Sequence, residues 1–187
     1  MIDHNRKLLF MHITRTGGTS VETAFMGQDW WEVDPSSKHI SASQARRLYG
    51  EDCWSTYHKF SVVRNPWDRL VSMWATGWWY GTRTPFRGVK PSSFSDFIRG
   101  LQPHPHEQYG ALRYHEILDE RIDQVLRFED LQVQVSAMCR ARGIAEVTLP
   151  HMERRDRLPY RAFYDEESEH LVREVFAKDI ATYGYEF

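Results

Sequence analysis

At 187 residues the chain is long enough to bury one sizeable core, and it reads as a single domain, 1–187. Its 41% apolar content and seven Trp disfavour disorder. Lys+Arg of 24 against Asp+Glu of 26, a net charge of −2, argues against general nucleic-acid binding, so an anionic ligand has to be met by a local cluster of donors.

Cys53 and Cys139 have no metal-type or redox spacing and read as plain thiols of a reducing compartment. No segment is apolar enough to span a bilayer, and the polar start Met1 to Lys7 is unlike a signal peptide. A cytoplasmic protein with no membrane segment is the expectation.

Taken in chain order, Leu8 to His12 is a short apolar strand ending at a Thr/Gly-rich loop, Thr14 to Thr19. Val21 to Phe25 then has helical spacing. Ser41 and Gln44 have the form of a capping box, with Ala45 to Tyr49 helical behind it. His58 to Arg64 is a second buried strand, stopped at Asn65-Pro66, and Pro66 suits the first turn of a helix running from Trp67 to about Trp78. Trp79 to Ser93 reads as a long loop of the kind that forms lids. Phe94 to Leu101 is a short helix, and 102–106 is broken by proline. Arg121 to Phe128 is a further strand, and Leu131 to Arg142 a helix ending at Gly143. A basic irregular stretch, Leu149 to Tyr164, precedes a final amphipathic helix, Glu166 to Tyr183. The alternation predicts an α/β protein, a three-layer α/β/α arrangement with a central, mainly parallel sheet.

Two segments carry chemistry. In His12-Ile-Thr-Arg15-Thr16-Gly17-Gly18-Thr19-Ser20, small residues between strand and helix let backbone N–H groups converge on a phosphate at the positive helix end. Thr16, Thr19 and Ser20 add hydroxyls and Arg15 a fixed charge. The Gly-Lys pair of the ATP- and GTP-binding Walker loop is missing. A plain strand-to-helix turn is the bland alternative. In Phe60-Ser-Val-Val-Arg64-Asn-Pro66-Trp67-Asp68-Arg69-Leu-Val71-Ser72, Arg64 closes a strand, the ligand edge of an open α/β sheet. Its guanidinium fork and the Ser72 hydroxyl suit a second, separate phosphate. Val71 and Trp74 read as packing residues and Asp68 as a solvated helix charge; Arg69 stays open between solvated and functional.

Together these residues resemble the PAPS-dependent sulfotransferase superfamily (PAPS is 3′-phosphoadenosine-5′-phosphosulfate), in the branch of heparan-sulfate-type and bacterial carbohydrate sulfotransferases. The first segment is similar to that family's 5′-phosphosulfate loop, commonly Pro-Lys-Thr-Gly-Gly-Thr-Ser, with Arg15 in place of Lys. The second is similar to its 3′-phosphate motif in the spacing of Arg64, Pro66 and Ser72. Weaker likeness continues through Arg127 to Leu131, Leu149 to His151, Tyr160 to Tyr164 and Asp179 to Phe187.

The resemblance implies a P-loop NTPase-like sulfotransferase fold, PAPS as donor and PAP as product, no metal, and transfer to a hydroxyl or amine of a glycan or small molecule. It implies cofactor contacts from Arg15, Thr16, Gly17, Gly18, Thr19, Ser20, Arg64 and Ser72, and from Arg157 and Tyr160 of a flap that includes Arg154, Arg155 and Arg161. It makes His39, just ahead of the Ser41 cap, the catalytic base. Arg15 would then assist the leaving group by charge alone, because a guanidinium does not readily give up a proton. Among the other histidines, His12 reads as a core residue, His58 lies at the far strand end, and His104, His106 and His151 lie in loops. Glu129 and Asp130 suit a strand-to-helix junction. Trp78, Trp79 and Tyr80 are either acceptor-stacking or core residues. A P-loop nucleotide kinase, or a non-catalytic PAP- or glycan-binding protein, is the competing expectation.

Overall fold

The computed structural model of the chain describes residues 1–77, 86, 88–101, 113–150 and 157–187. Most of the loop expected over 79–93, with Trp78, Trp79 and Tyr80, lies outside them. So do His104, His106, His151, Arg154 and Arg155.

The strands form one sheet in the order β1 (Ile2–Asp3), β2 (Leu8–Met11), β3 (His58–Val63) and β4 (Gln124–Arg127). β2, β3 and β4 are parallel, in register Phe10↔Phe60 and Val62↔Leu126. All four residues of β2 are buried, as befits a parallel strand covered on both faces. β1 was not expected from the polar start of the chain. It pairs antiparallel, Ile2 with Leu9, through a turn in which Asp3 Oδ1 accepts from the backbone N–H groups of Asn5 and Arg6, both at 3.0 Å.

By its internal packing the chain divides into two compact units, Met1–Val63 with Ile117–Arg154, and Arg64–Glu116 with Arg155–Phe187. The first holds the sheet and the helices α1 (Gly18–Met26), α2 (Trp30–Val33), α3 (Ala42–Thr56) and α7 (Leu131–Ala141). Its core joins Leu9, Phe10, Val21, Phe25, Phe60, Leu126 and Val135. Each such side chain withdrawn from water contributes roughly 1.5–3 kcal/mol. α3 begins at the capping box read from the sequence: Ser41 Oγ accepts from Gln44 N–H at 3.3 Å, and Gln44 Oε1 accepts from Ser41 N–H at 2.8 Å. The helix runs further than expected and kinks at Gly50, where φ is 83°.

The second unit holds α4 (Pro66–Ala75), α5 (Phe94–Gly100), α8 (Glu166–Val175) and α9 (Ala177–Tyr183). The short helix α6 (Tyr114–Ile117) precedes the return of the chain to the sheet. The core of this unit joins Trp67, Leu70, Phe97, Val172 and Phe176. α4 starts as Asn65-Pro66 predicts: Asn65 Oδ1 accepts from Trp67 N–H at 3.0 Å, and Pro66 needs no partner for its missing donor.

The final helix is not continuous. It breaks at buried Phe176, and α9 carries Asp179, fully buried, whose carboxylate accepts from the N–H groups of Tyr114 at 2.7 Å and His115 at 3.0 Å. No Gly or Pro marks this break in the sequence; it follows from packing. Among the described residues no helix is long and apolar enough to cross a membrane.

Candidate active site

In the first unit, His12 directly follows β2, and the loop behind it is held from within. The Thr16 hydroxyl donates to the Ile13 carbonyl at 2.8 Å, and Thr16 is fully buried. Its side chain therefore locks the turn instead of facing a ligand, and Thr16 offers only its backbone N–H. Arg15 and Gly17 both have positive φ, 64° and 86°. An L-residue in that region costs roughly 1–2 kcal/mol, so Arg15 is held there by its surroundings. Positive φ at residues 15 and 17, with Thr16 between them outside that region, is the kind of alternation that can turn successive N–H groups toward one point and suit an anion.

α1 starts directly behind it. Gly17 sits at its cap position with no side chain to offer, and no acid lies in the first turn. The leading N–H groups have no side-chain cap, an arrangement that suits an outside anion. Thr19 and Ser20, partly exposed, belong to that first turn.

Both glycines are needed for space. A Cβ at Gly17 would come within 3.0 Å of Leu131 and 3.1 Å of Phe128, at the β4–α7 junction that also carries the exposed Glu129 and Asp130. A Cβ at Gly18 would stand 2.2 Å from the His12 ring.

That ring belongs to a buried polar network which sequence reading did not anticipate. His12 Nδ1–H donates to Glu22 Oε1 at 2.7 Å, and Lys38 Nζ donates to Glu22 Oε2 at 2.9 Å and to Asp29. Burial alone would raise the Glu22 pKa; the hydrogen bonds and charge of His12 and Lys38 outweigh it and hold the carboxyl down to about 2.

His39 lies on the same network. Its Nδ1 stands 3.1 Å from the His12 carbonyl, which can only accept, so Nδ1 carries the hydrogen and Nε2 the lone pair. The ring packs edge-on against His12 at 4.5 Å and Trp31 at 5.6 Å. Burial first, and then its neighbour His12, push the His39 pKa down to about 3, so the ring is neutral. A neutral imidazole in a fixed tautomer is the form a general base requires.

In the second unit, Arg64 directly follows β3 and is nearly buried. Its Nε and Nη2 both donate to Asp68 Oδ2, at 2.8 and 2.6 Å, and its carbonyl accepts from the Tyr114 hydroxyl at 2.5 Å. Arg157 donates to the other Asp68 oxygen. Asp68 is therefore no solvated helix charge: two arginines drawn from distant parts of the sequence meet on its carboxylate. Arg69 is not solvated either; it is fully buried, its guanidinium 5.0 Å from the centre of the Tyr114 ring.

Ser72 lies one helical turn beyond Asp68 and is nearly buried. Tyr160 forms part of a 3-10 turn, Tyr160–Phe163, with its ring edge-on to Phe187 at 5.8 Å. At the opposite end of β3, His58 pairs with Leu8 and contacts Gln124 Oε1 at 3.2 Å, at the strand ends remote from the glycine turn.

No curated protein sequence matches this one. The model of the sulfotransferase family does, over residues 1–186. With a mostly parallel sheet, a phosphate-type turn behind its first parallel strand and a match from end to end, the chain belongs to the sulfotransferase family.

Proposed function

We propose that this enzyme transfers the sulfuryl group of PAPS to a hydroxyl or amine of an acceptor, with a glycan or small alcohol as first choice. The observation that carries the reading is the turn at 15–18. Positive φ at residues 15 and 17, a helix start that no side chain caps, and an arginine support a phosphosulfate seat without the Walker lysine.

In the proposed reaction the acceptor oxygen or nitrogen attacks sulfur in line. The sulfur–oxygen bond to the 5′-phosphate breaks, and its electron pair stays on the phosphate oxygen. Arg15 and the N–H groups of residues 16 to 20 meet that charge as it develops. Arg15 gives no proton, and a phosphate leaving group with its last pKa near 6 needs none. The acceptor proton passes to His39 Nε2. An imidazole of pKa about 3 is a weak base, but a bound polyanion favours its protonated form and moves it toward the useful range.

Arg64, Ser72, Arg157 and Tyr160 take the 3′-phosphate end of the donor. Their support is the motif spacing and the meeting of Arg64 and Arg157 on one carboxylate.

A thermal-shift panel tests the reading. PAP at 100 times its Kd should add about 2.7 kcal/mol of stability, and ATP with Mg²⁺ little. Labelled PAPS should then pass its sulfate to members of an acceptor panel. Stabilisation by ATP with Mg²⁺ and none by PAP would reject the reading in favour of a kinase.

A further inference from the structure

Asp68 is a carboxylate in the first turn of α4, and two arginines from outside that helix meet on it. Its side chain is 18% exposed, against 9% for Arg64 and 20% for Arg157. The two oxygens divide the work: Oδ2 holds one edge of Arg64 through Nε and Nη2, and Oδ1 holds Nη2 of Arg157. Without an acid between them, two partly desolvated cations would repel, and two long side chains would scatter over their rotamers. With it, the cluster keeps one net positive charge and a fixed geometry. The same helical face carries Ser72 one turn on.

We propose that Asp68 is a positioning residue which assembles Arg64 and Arg157 into a clamp selective for the 3′-phosphate of the donor. The inference rests on the PAPS reading above and deepens it. Asp68 does not touch the phosphate; it sets the arginines that do. The ligand it selects is a nucleoside carrying phosphates at both 3′ and 5′ positions, over one phosphorylated at 5′ alone.

The test is calorimetric titration of the whole chain with PAP and with adenosine 5′-phosphate. Wild type should prefer PAP. Asp68→Asn, which keeps the shape and removes the charge, should weaken PAP about tenfold or more and leave adenosine 5′-phosphate within about twofold. Arg157→Gln, at the most exposed member of the cluster, should erode the same discrimination and serves if the Asp68 variant does not fold.

A parallel loss of both nucleotides would overturn the inference, because it would mark Asp68 as structural. So would a gain in PAP affinity, because it would mark Asp68 as a competitor for the arginines. Wild type without any preference for PAP would instead sink the PAPS reading, and this inference with it. Wild-type preference left intact in both variants would sink the inference alone.

Discussion

Gly18→Ala is a sharp perturbation of the phosphate-type turn. Gly18 opens α1, and its φ is not among the positive ones, so alanine meets no backbone strain there and has the better helix propensity. The obstacle is the His12 imidazole. The new Cβ would lie 2.2 Å from Cδ2 and Nε2 and 2.6 Å from Cγ, where contact needs about 3.5–4.0 Å. The ring cannot swing away cheaply. It is buried, tied to Glu22 at 2.7 Å and packed against His39. Overpacking of this kind costs about 1–3 kcal/mol, and a strained or broken buried hydrogen bond adds about 1–3. A net loss of about 3 kcal/mol should lower Tm by about 6–12 °C at this chain length.

A double-mutant cycle in urea gives the decisive sign. In a His12→Ala background the clash disappears, and Gly18→Ala should be neutral or stabilising by up to about 1 kcal/mol, leaving a coupling near 3 kcal/mol. Gly27→Ala is the control. With φ 80° and nothing within 4 Å, it should cost only the roughly 1–2 kcal/mol of its left-handed backbone, in either background. An equal cost for Gly18→Ala with and without the imidazole, or a cost below about 0.5 kcal/mol, would refute the steric account of the second glycine.

Two predictions concern the histidines. His39→Ala should leave PAP affinity near wild type while turnover falls by roughly 10²-fold or more, read as kcat against Kd; unchanged turnover would move the base elsewhere. Folding should also become acid-labile. His12 and His39 are both pulled below the ordinary 6.5 by burial, so the contribution of each is complete above pH 6.5 and lost as pH falls, that of His39 as pH approaches about 3. Each adds a slope of up to about 1.4 kcal/mol per pH unit. Urea midpoints between pH 6.5 and 5, above the window in which Glu22 contributes, should fall with pH, and less steeply in His39→Ala. Equal slopes in the two proteins would show that His39 protonates freely in the folded state.

The features legible in the sequence are those whose cause is local. Ser41 and Gln44 declare their cap because both partners sit within one turn. Leu8 to Met11 and His58 to Val63 declare strands, because a short β-rich run between turn residues has little else to be. Gly17 and Gly18 stand where the chain turns from a strand into a helix. What escaped reading depends on partners far along the chain. Asp68 looks solvated beside Arg69, and its role comes from Arg157, 89 residues away. Lys38 adjoins the expected base and looks like surface charge, yet it is buried on Glu22, 16 residues back. The partner of Lys38, Glu22, does carry a local signal. Gly18, Val21, Glu22 and Phe25 follow the i, i+3, i+4, i+7 pattern of a single helical face, and all four are buried. A glutamate on an apolar face needs cations or donors to hold its charge, and His12, Arg15, Lys38 and His39 are among the basic residues near it in sequence. The core-facing acid of α1 thus calls for buried basic partners, and the fold supplies them as His12 and Lys38.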